Sequence, residues 1–154
     1  MKTLRELPPE VVSKRGGPVR SALAKAARMM QKATQANLQA IIDQPNEGEE
    51  VSKSTGLLKK NIVAKRGRLA GGEKGEMYSV RVQRKSYPDS RGRRVTTPQV
   101  ARLLEYGTEK RQAHPFIRPA FDANKAQAVK IFVDEINKKL AGIVKKLAVK
   151  NRAT

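Results

Sequence analysis

The sequence predicts an α+β domain in which helices cover one face of a small antiparallel sheet. Two long segments, one in each half of the chain, carry apolar residues mostly three or four positions apart, which predicts a long helix in each. Between them, period-two alternation beside a glycine-rich turn predicts a β hairpin. With 154 residues, the chain suits a single domain spanning positions 1–154.

The first long helix begins at Pro18, a residue that suits the first turn of a helix. Its apolar positions recur as far as Ile41, which gives a helix of about six to seven turns. The helix is predicted to end before Pro45, and residues 45–54 are predicted to form a mobile polar loop. Three glutamates lie close together in this loop, and we interpret them as solvated rather than as a cation site.

The predicted hairpin covers about residues 61–84. Ile62 opens its first strand, and the second alternates Tyr78, Val80 and Val82 with polar residues, which is typical of a half-buried strand. A glycine-rich loop joins the two strands. The hairpin therefore forms the predicted sheet.

Two further helices complete the prediction. A threonine, Thr96 or Thr97, caps a short helix over about 98–106. Gly107 is its expected left-handed stop. A long final helix is predicted over about 119–147, followed by a frayed tail over about 149–154.

Positive charge dominates the composition. The chain has 33 Lys and Arg against 14 Asp and Glu, a formal net charge of +19, so it favours polyanions or acidic protein partners. It has no cysteine, which excludes disulfides, thiolate metal sites and cysteine nucleophiles. Neither a signal peptide nor an apolar run of about 20 residues is visible, so we expect no membrane association.

A basic loop is predicted over about residues 86–97, where it is expected to be mobile. It contains Arg91, Arg93 and Arg94, with Asp89 as the one nearby acid. Phosphate contacts require mainly clustered positive charge. The loop either faces nucleic acid or an acidic partner, or is a mobile insertion, and the sequence leaves both open.

No catalytic, metal or cofactor site is predicted. His114 is the only histidine, so zinc coordination and triad chemistry lack their other members. We interpret it as a packing or hydrogen-bonding residue in a turn. Glu105 lies near a helix C-terminus, where the dipole disfavours negative charge, so a basic partner is expected. We predict a structural pair with Arg118, with Arg111 as the other nearby candidate.

Two short segments have a distinctive pattern. The first, Ser54–Ile62, reads T-G-L-L-K-K-N-I after its serine, and the second, Leu103–Ala120, contains E-Y-G-T and then H-P-F-I-R-P-A. These segments resemble a family of bacteriophage neck or tail-completion proteins, whose members commonly read T-G-x-L-x-x-S/N-I and later E-F/Y-G-T with P-F-L/I/M-R-P-A. The residues that carry the resemblance are Thr55, Gly56, Leu57, Glu105, Tyr106, Gly107, Thr108, His114, Pro115, Phe116, Arg118 and Pro119.

The resemblance covers about residues 4–147 in the order of elements, and it implies a virion structural protein without enzymatic activity. Such proteins act where the tail meets the head of long-tailed phages. They look like ring-forming subunits, with a hexamer as the expected ring. Neighbouring neck and tail proteins, and packaged DNA on the ring's axis, are the implied partners. The basic loop and the strongly positive balance depart from the family pattern, which leaves the role of the loop open.

Two other classes of function compete with this interpretation. The second class is a stand-alone nucleic-acid-binding protein, acting as a basic monomer or dimer, for which the positive charge is also typical. A phage nuclease is the third class, but the shortage of convergent acids and the single histidine argue against it.

Overall fold

The structure is a computed structural model that describes residues 17–44, 55–69, 75–89, 91–109 and 112–152. It confirms the α+β prediction: a long helix is followed by two small antiparallel sheets, a short helix and a second long helix. In chain order the described elements are α1 (Pro18–Asp43), α2 (Leu57–Lys60), β1 (Ile62–Gly67), β2 (Met77–Val82), β3 (Ser86–Pro88), β4 (Arg94–Thr96), α3 (Thr97–Tyr106) and α4 (Ile117–Arg152).

β1 and β2 form the predicted hairpin, with Ile62 opposite Val82 at one end and Gly67 opposite Met77 at the other. The structure differs from the prediction over 86–97, where a second hairpin replaces the expected loop. β3 and β4 pair there from Ser86 opposite Thr96. These strands are only three residues long, too short to show alternation in the sequence.

Three glutamines four residues apart on α1 bind α2 and the start of β1. Gln31 Nε2 donates to the carbonyl oxygen of Ile62 at 2.9 Å, and its Oε1 accepts from the N–H of Ala64 at 3.3 Å. Gln35 Nε2 donates to the same Ile62 oxygen, and Gln39 Oε1 accepts from Lys59 Nζ at 2.8 Å. The side chains of α1 therefore hold β1 along one of its edges.

α1 and α4 pack antiparallel. Near the start of α4, Asn37 Nδ2 donates to the carbonyl oxygen of Phe116 at 3.4 Å, and further along Lys25 Nζ contacts Glu135 Oε2 at 2.8 Å. The core lies beside the contact between Asn37 and Phe116. Its buried members come from five different segments: Leu38, Leu58, Ile62, Ala101 and Phe116.

The described helices depart from their predicted limits at several ends. α3 begins at Thr97 with Thr96 as its N-cap, and α4 begins at Ile117, two residues before the predicted Pro119. α4 also continues through Arg152, beyond the predicted end at 147 and into the segment predicted to fray. Lysines and alanines fill its last turns, and both favour a helix there. The predicted loop at 45–54 lies outside the described residues.

Candidate functional site

Glu105 completes the N-terminus of α4. This side chain lies in the last turn of α3 and is buried. The N–H groups of Phe116 and Ile117 each donate to its Oε2 at 2.9 Å, and the N–H of Arg118 donates to its Oε1 at 3.0 Å. The first four N–H positions of a helix have no partner within it, and the fourth here belongs to Pro119, which has no N–H. One carboxylate therefore serves every free donor at this helix end.

The same contacts set the charge of Glu105. Burial raises the pKa of this carboxyl. The N–H groups of Ile117, Arg118 and Phe116, with the Arg118 guanidinium, lower it by more, so the pKa lies below its ordinary 4.5. The positive end of the α4 dipole also favours a negative charge at this point. Glu105 is therefore ionised at neutral pH, although it is buried.

Arg118 is a secondary partner of Glu105. Its Nε lies 3.8 Å from Glu105 Oε1, and its side chain is 61% exposed. The guanidinium carbon lies 4.6 Å from the centre of the Tyr106 ring, in cation–π contact. The predicted Glu105–Arg118 pair is present, but backbone N–H groups are the closer partners. Arg111, the other candidate, lies outside the described residues.

The backbone between α3 and α4 is fixed by two further contacts. Gly107 ends α3 with a positive φ of 72°, but its ψ of −172° lies outside the left-handed helical region that was predicted. Its N–H donates to the carbonyl oxygen of Leu103 at 2.9 Å. The N–H of His114 donates to the carbonyl oxygen of Leu104 at 2.8 Å, whereas its imidazole is exposed. Pro115 and Thr108 are also exposed, and Phe116 is fully buried. His114 thus contributes its backbone to the turn.

The first family-like segment forms a cap and a single helical turn. Thr55 Oγ1 accepts from the N–H of Leu57 at 3.4 Å, and Gly56 has a left-handed φ of 67° immediately before α2. Asn61 Nδ2 then donates to the carbonyl oxygen of Leu57 at 2.7 Å and closes the turn. Each residue type is explained by this geometry, which requires a short acceptor, a glycine and a side-chain amide.

The two family-like segments meet in one core. Leu58 and Ile62 come from the first segment and Phe116 from the second, and all three belong to the same buried cluster. Thr97 ties β2 to α3 nearby, since its Oγ1 donates to the carbonyl oxygen of Gln83 at 2.6 Å. It also accepts from the N–H of Lys85 at 2.9 Å. The segments that resemble the family therefore form one connected scaffold.

The basic hairpin is organised by Asp89. Its Oδ1 accepts from the N–H of Arg91 at 2.9 Å and of Arg93 at 2.8 Å, and its Oδ2 accepts from Arg93 Nε at 3.0 Å. The backbone and side-chain hydrogen bonds of Arg93 and Arg91 lower the pKa of Asp89, against a smaller opposing effect of burial. Gly92 supplies the positive φ of 73° that the turn needs. The signal was present in the sequence, because Asp at the first and Gly at the fourth position, as in Asp89 and Gly92, favour a type I turn.

The three arginines are consequently not equivalent. Arg93 is paired with Asp89, whereas Arg91 and Arg94 are exposed and form no ion pair with any described acid. Arg91 in the turn and Arg94 at the start of β4 form a small positive surface. Such a surface suits phosphate oxygens or carboxylates, without selecting a sequence.

The described residues hold few groups of other chemistry. No three of their His, Asp or Glu side chains converge as metal ligands would. Among the described helices, none combines the length and the hydropathy needed to cross a bilayer. Comparisons with protein families, curated proteins and solved structures found no match to this chain.

Proposed function

We propose that this chain is a virion structural protein of the phage neck or tail top, needed for tail completion and head–tail joining. The observation that carries the proposal is that the two family-like segments pack together in one core. Glu105, Phe116 and Pro119 account for one motif through the start of α4, and Thr55 and Gly56 account for the other through α2. Their side chains have structural roles, which suits an assembly protein and requires no enzymatic activity.

The proposed form is a ring, with a hexamer as the expected copy number, around the path of the DNA. The charge supports this arrangement. A ring multiplies the +19 of each subunit, so the assembly needs counter-charge from packaged DNA or from acidic faces of neighbouring neck and tail proteins. Arg91 and Arg94 are among the cations that could meet it, because both are exposed and neither pairs with a described acid.

Particles from the encoding phage test this proposal directly. The gene would be deleted, and the phage complemented with the wild-type chain, with Glu105→Ala or with Glu109→Ala. We expect the deletion and Glu105→Ala to leave heads and tails unjoined in electron micrographs. Glu109, an exposed acid near the same turn, is the matched control and should restore infectious particles. Normal joining in the deletion strain would contradict the proposal.

A stand-alone nucleic-acid-binding protein is the second candidate. The exposed, unpaired guanidinium groups of Arg91 and Arg94 on the described hairpin favour it. Mass measurement separates the two functions. A monomer or dimer that binds duplex DNA with strong salt dependence and is absent from purified particles would establish the second candidate. Incorporation at the tail top would establish the first.

A further inference from the structure

The β1–β2 hairpin has one face that packs on α1 and a second face that points away from it. Ile62 lies on the packed face, in the same buried cluster as Leu38 of α1, and Val80 and Val82 pack against that cluster. Successive side chains of a strand point to opposite faces, so the residues between these positions point away from α1. This second surface, the open face, consists of six residues: Val63, Lys65, Gly67, Met77, Ser79 and Arg81.

The open face carries two positive charges and no acid. Lys65 and Arg81 are both exposed, and neither forms an ion pair with an acid in the part of the chain that the structure describes. Glu76 precedes β2, but Arg66 of the packed face binds it through two hydrogen bonds of 2.7 and 2.6 Å. That acid is neutralised by another cation, which leaves the charges of the open face uncompensated.

The two cations are diagonal neighbours on adjacent strands. Lys65 lies opposite Ser79, and Arg81 lies opposite Val63. Diagonal residues of an antiparallel pair are about 7–8 Å apart, and phosphates follow one another along a nucleic-acid strand at about 3.4 Å of axis each. Lysine, arginine and serine side chains all donate hydrogen bonds to phosphate oxygens. The spacing therefore suits successive phosphates of one strand more than a single free phosphate.

The other residues of the open face favour nucleic acid over an acidic protein. Val63 is half-buried, and the Met77 side chain lies against Gly67 instead of projecting outward. The face has no aromatic side chain, whereas protein–protein interfaces depend on large aromatic or apolar anchors that enter pockets. A two-stranded β ribbon also fits the major groove of B-DNA, which is about 12 Å wide. Both the composition and the shape of the open face match a surface that contacts a nucleic-acid backbone.

We propose that the open face binds the phosphate backbone of duplex DNA, with Lys65 and Arg81 as the contacting cations and Ser79 as a hydrogen-bond donor between them. Contacts of this kind position a protein on DNA without reading its sequence. The inference goes beyond the proposed function, because it applies whether the chain works in a particle or alone. It also concerns a different hairpin from the one that carries Arg91 and Arg94.

Fluorescence anisotropy of the full chain with a labelled duplex of about 30 base pairs tests the inference at about 50–200 mM salt. The test variant is Lys65→Gln with Arg81→Gln, and the control is Lys130→Gln with Lys145→Gln, at exposed positions of α4. Both variants lose two positive charges. Because each phosphate contact contributes about 0.9 to the slope of log K against log salt concentration, the test variant should reduce that slope by about 2 and weaken binding about 10-fold or more at low salt. The control should change the slope by less than about 0.5.

A third variant separates the loss of charge from a loss of folding. Lys65→Arg with Arg81→Lys keeps both charges and should bind within about threefold of wild type. Circular dichroism and Tm verify that all three variants fold. Weak binding by the folded exchange variant, with the salt slope of the test variant, would contradict phosphate contacts that depend on charge.

Three other results would overturn the inference. The first is a wild-type chain that does not bind the duplex at about 50 mM salt. The second is equal slopes for the test variant and the control, since the effect would then come from net charge alone. The third is polyglutamate that binds as tightly as the duplex and is weakened equally in the test variant, because the face would then suit acidic proteins.

Particles separate this inference from the proposed function. If the test variant shows the expected loss of slope but the chain never enters particles, the neck role fails alone. If the chain enters particles and the test and control variants have equal slopes, the open-face contact fails alone.

Discussion

Replacing Glu105 by alanine should destabilise the protein strongly, because it removes the acceptor of three N–H groups at once. Loss of an ordinary N-cap side chain costs about 1 kcal/mol. A buried donor left without a partner costs about 1–3 kcal/mol more. The hydrogen bond from Phe116 is buried, whereas those from Ile117 and Arg118 are partly buried and can be replaced by water. Counting one donor at full cost, we expect a loss of about 3 kcal/mol.

Urea unfolding at neutral pH measures this loss. With a slope of about 2 kcal/mol per M, the midpoint should fall by about 1.5 M. Glu109→Ala, at an exposed acid close by in the chain, should change stability by less than about 0.5 kcal/mol. Arg118→Ala should destabilise far less than Glu105→Ala, and the coupling between the two should stay below about 1 kcal/mol, since the Arg118 side chain is 61% exposed and only a 3.8 Å contact joins it to the carboxylate. Equal effects of Glu105→Ala and Glu109→Ala would refute the capping role.

Three further predictions concern the connection between α3 and α4 and the basic hairpin. Because the folded-state pKa of Glu105 is lowered, its stabilisation is complete above 4.5 and is lost as pH falls through the folded pKa. The stability difference between wild type and Glu105→Gln, followed by urea unfolding, should therefore shrink in acid; a constant difference contradicts this. Gly107→Ala should lower stability by about 1 kcal/mol in thermal unfolding, because φ is positive there; an unchanged Tm would refute it. Arg91→Ala with Arg94→Ala should reduce the slope of log K for duplex DNA against log salt concentration by about 2, and Arg93→Ala, the control, should reduce it less. A double variant with the same slope as wild type would show that the basic hairpin does not contact DNA.

The helices and the main hairpin could be predicted because their signals are local. The apolar spacing of α1 and α4, the alternation of β2 and the glycine after α3 each act within a few residues. The ends were less predictable. α4 begins before Pro119 because a carboxylate from another helix serves its first N–H groups, and no local pattern contains that partner. The second hairpin was missed because its strands are too short to alternate.

The structural role of Glu105 was predicted, but for an incomplete reason. The dipole of α3, the helix that contains Glu105, indicates only that the carboxylate needs a positive partner, so a side-chain cation was expected. In the structure, the Glu105 carboxylate lies at the positive N-terminus of α4, the next helix, which supplies its partners. The glutamines of α1 were likewise invisible as a group, because their targets lie in β1 and α2.

The side chain of Gln31 covers part of one edge of the small sheet, at β1. Its primary amide has the same donor and acceptor as a peptide group, and it occupies both the oxygen of Ile62 and the N–H of Ala64. At that point, β1 meets a substitute for a third strand, and a strand from another chain cannot be added there. An open edge invites unlimited strand addition and aggregation. A side chain of the same chain therefore protects the first part of β1 from strand addition.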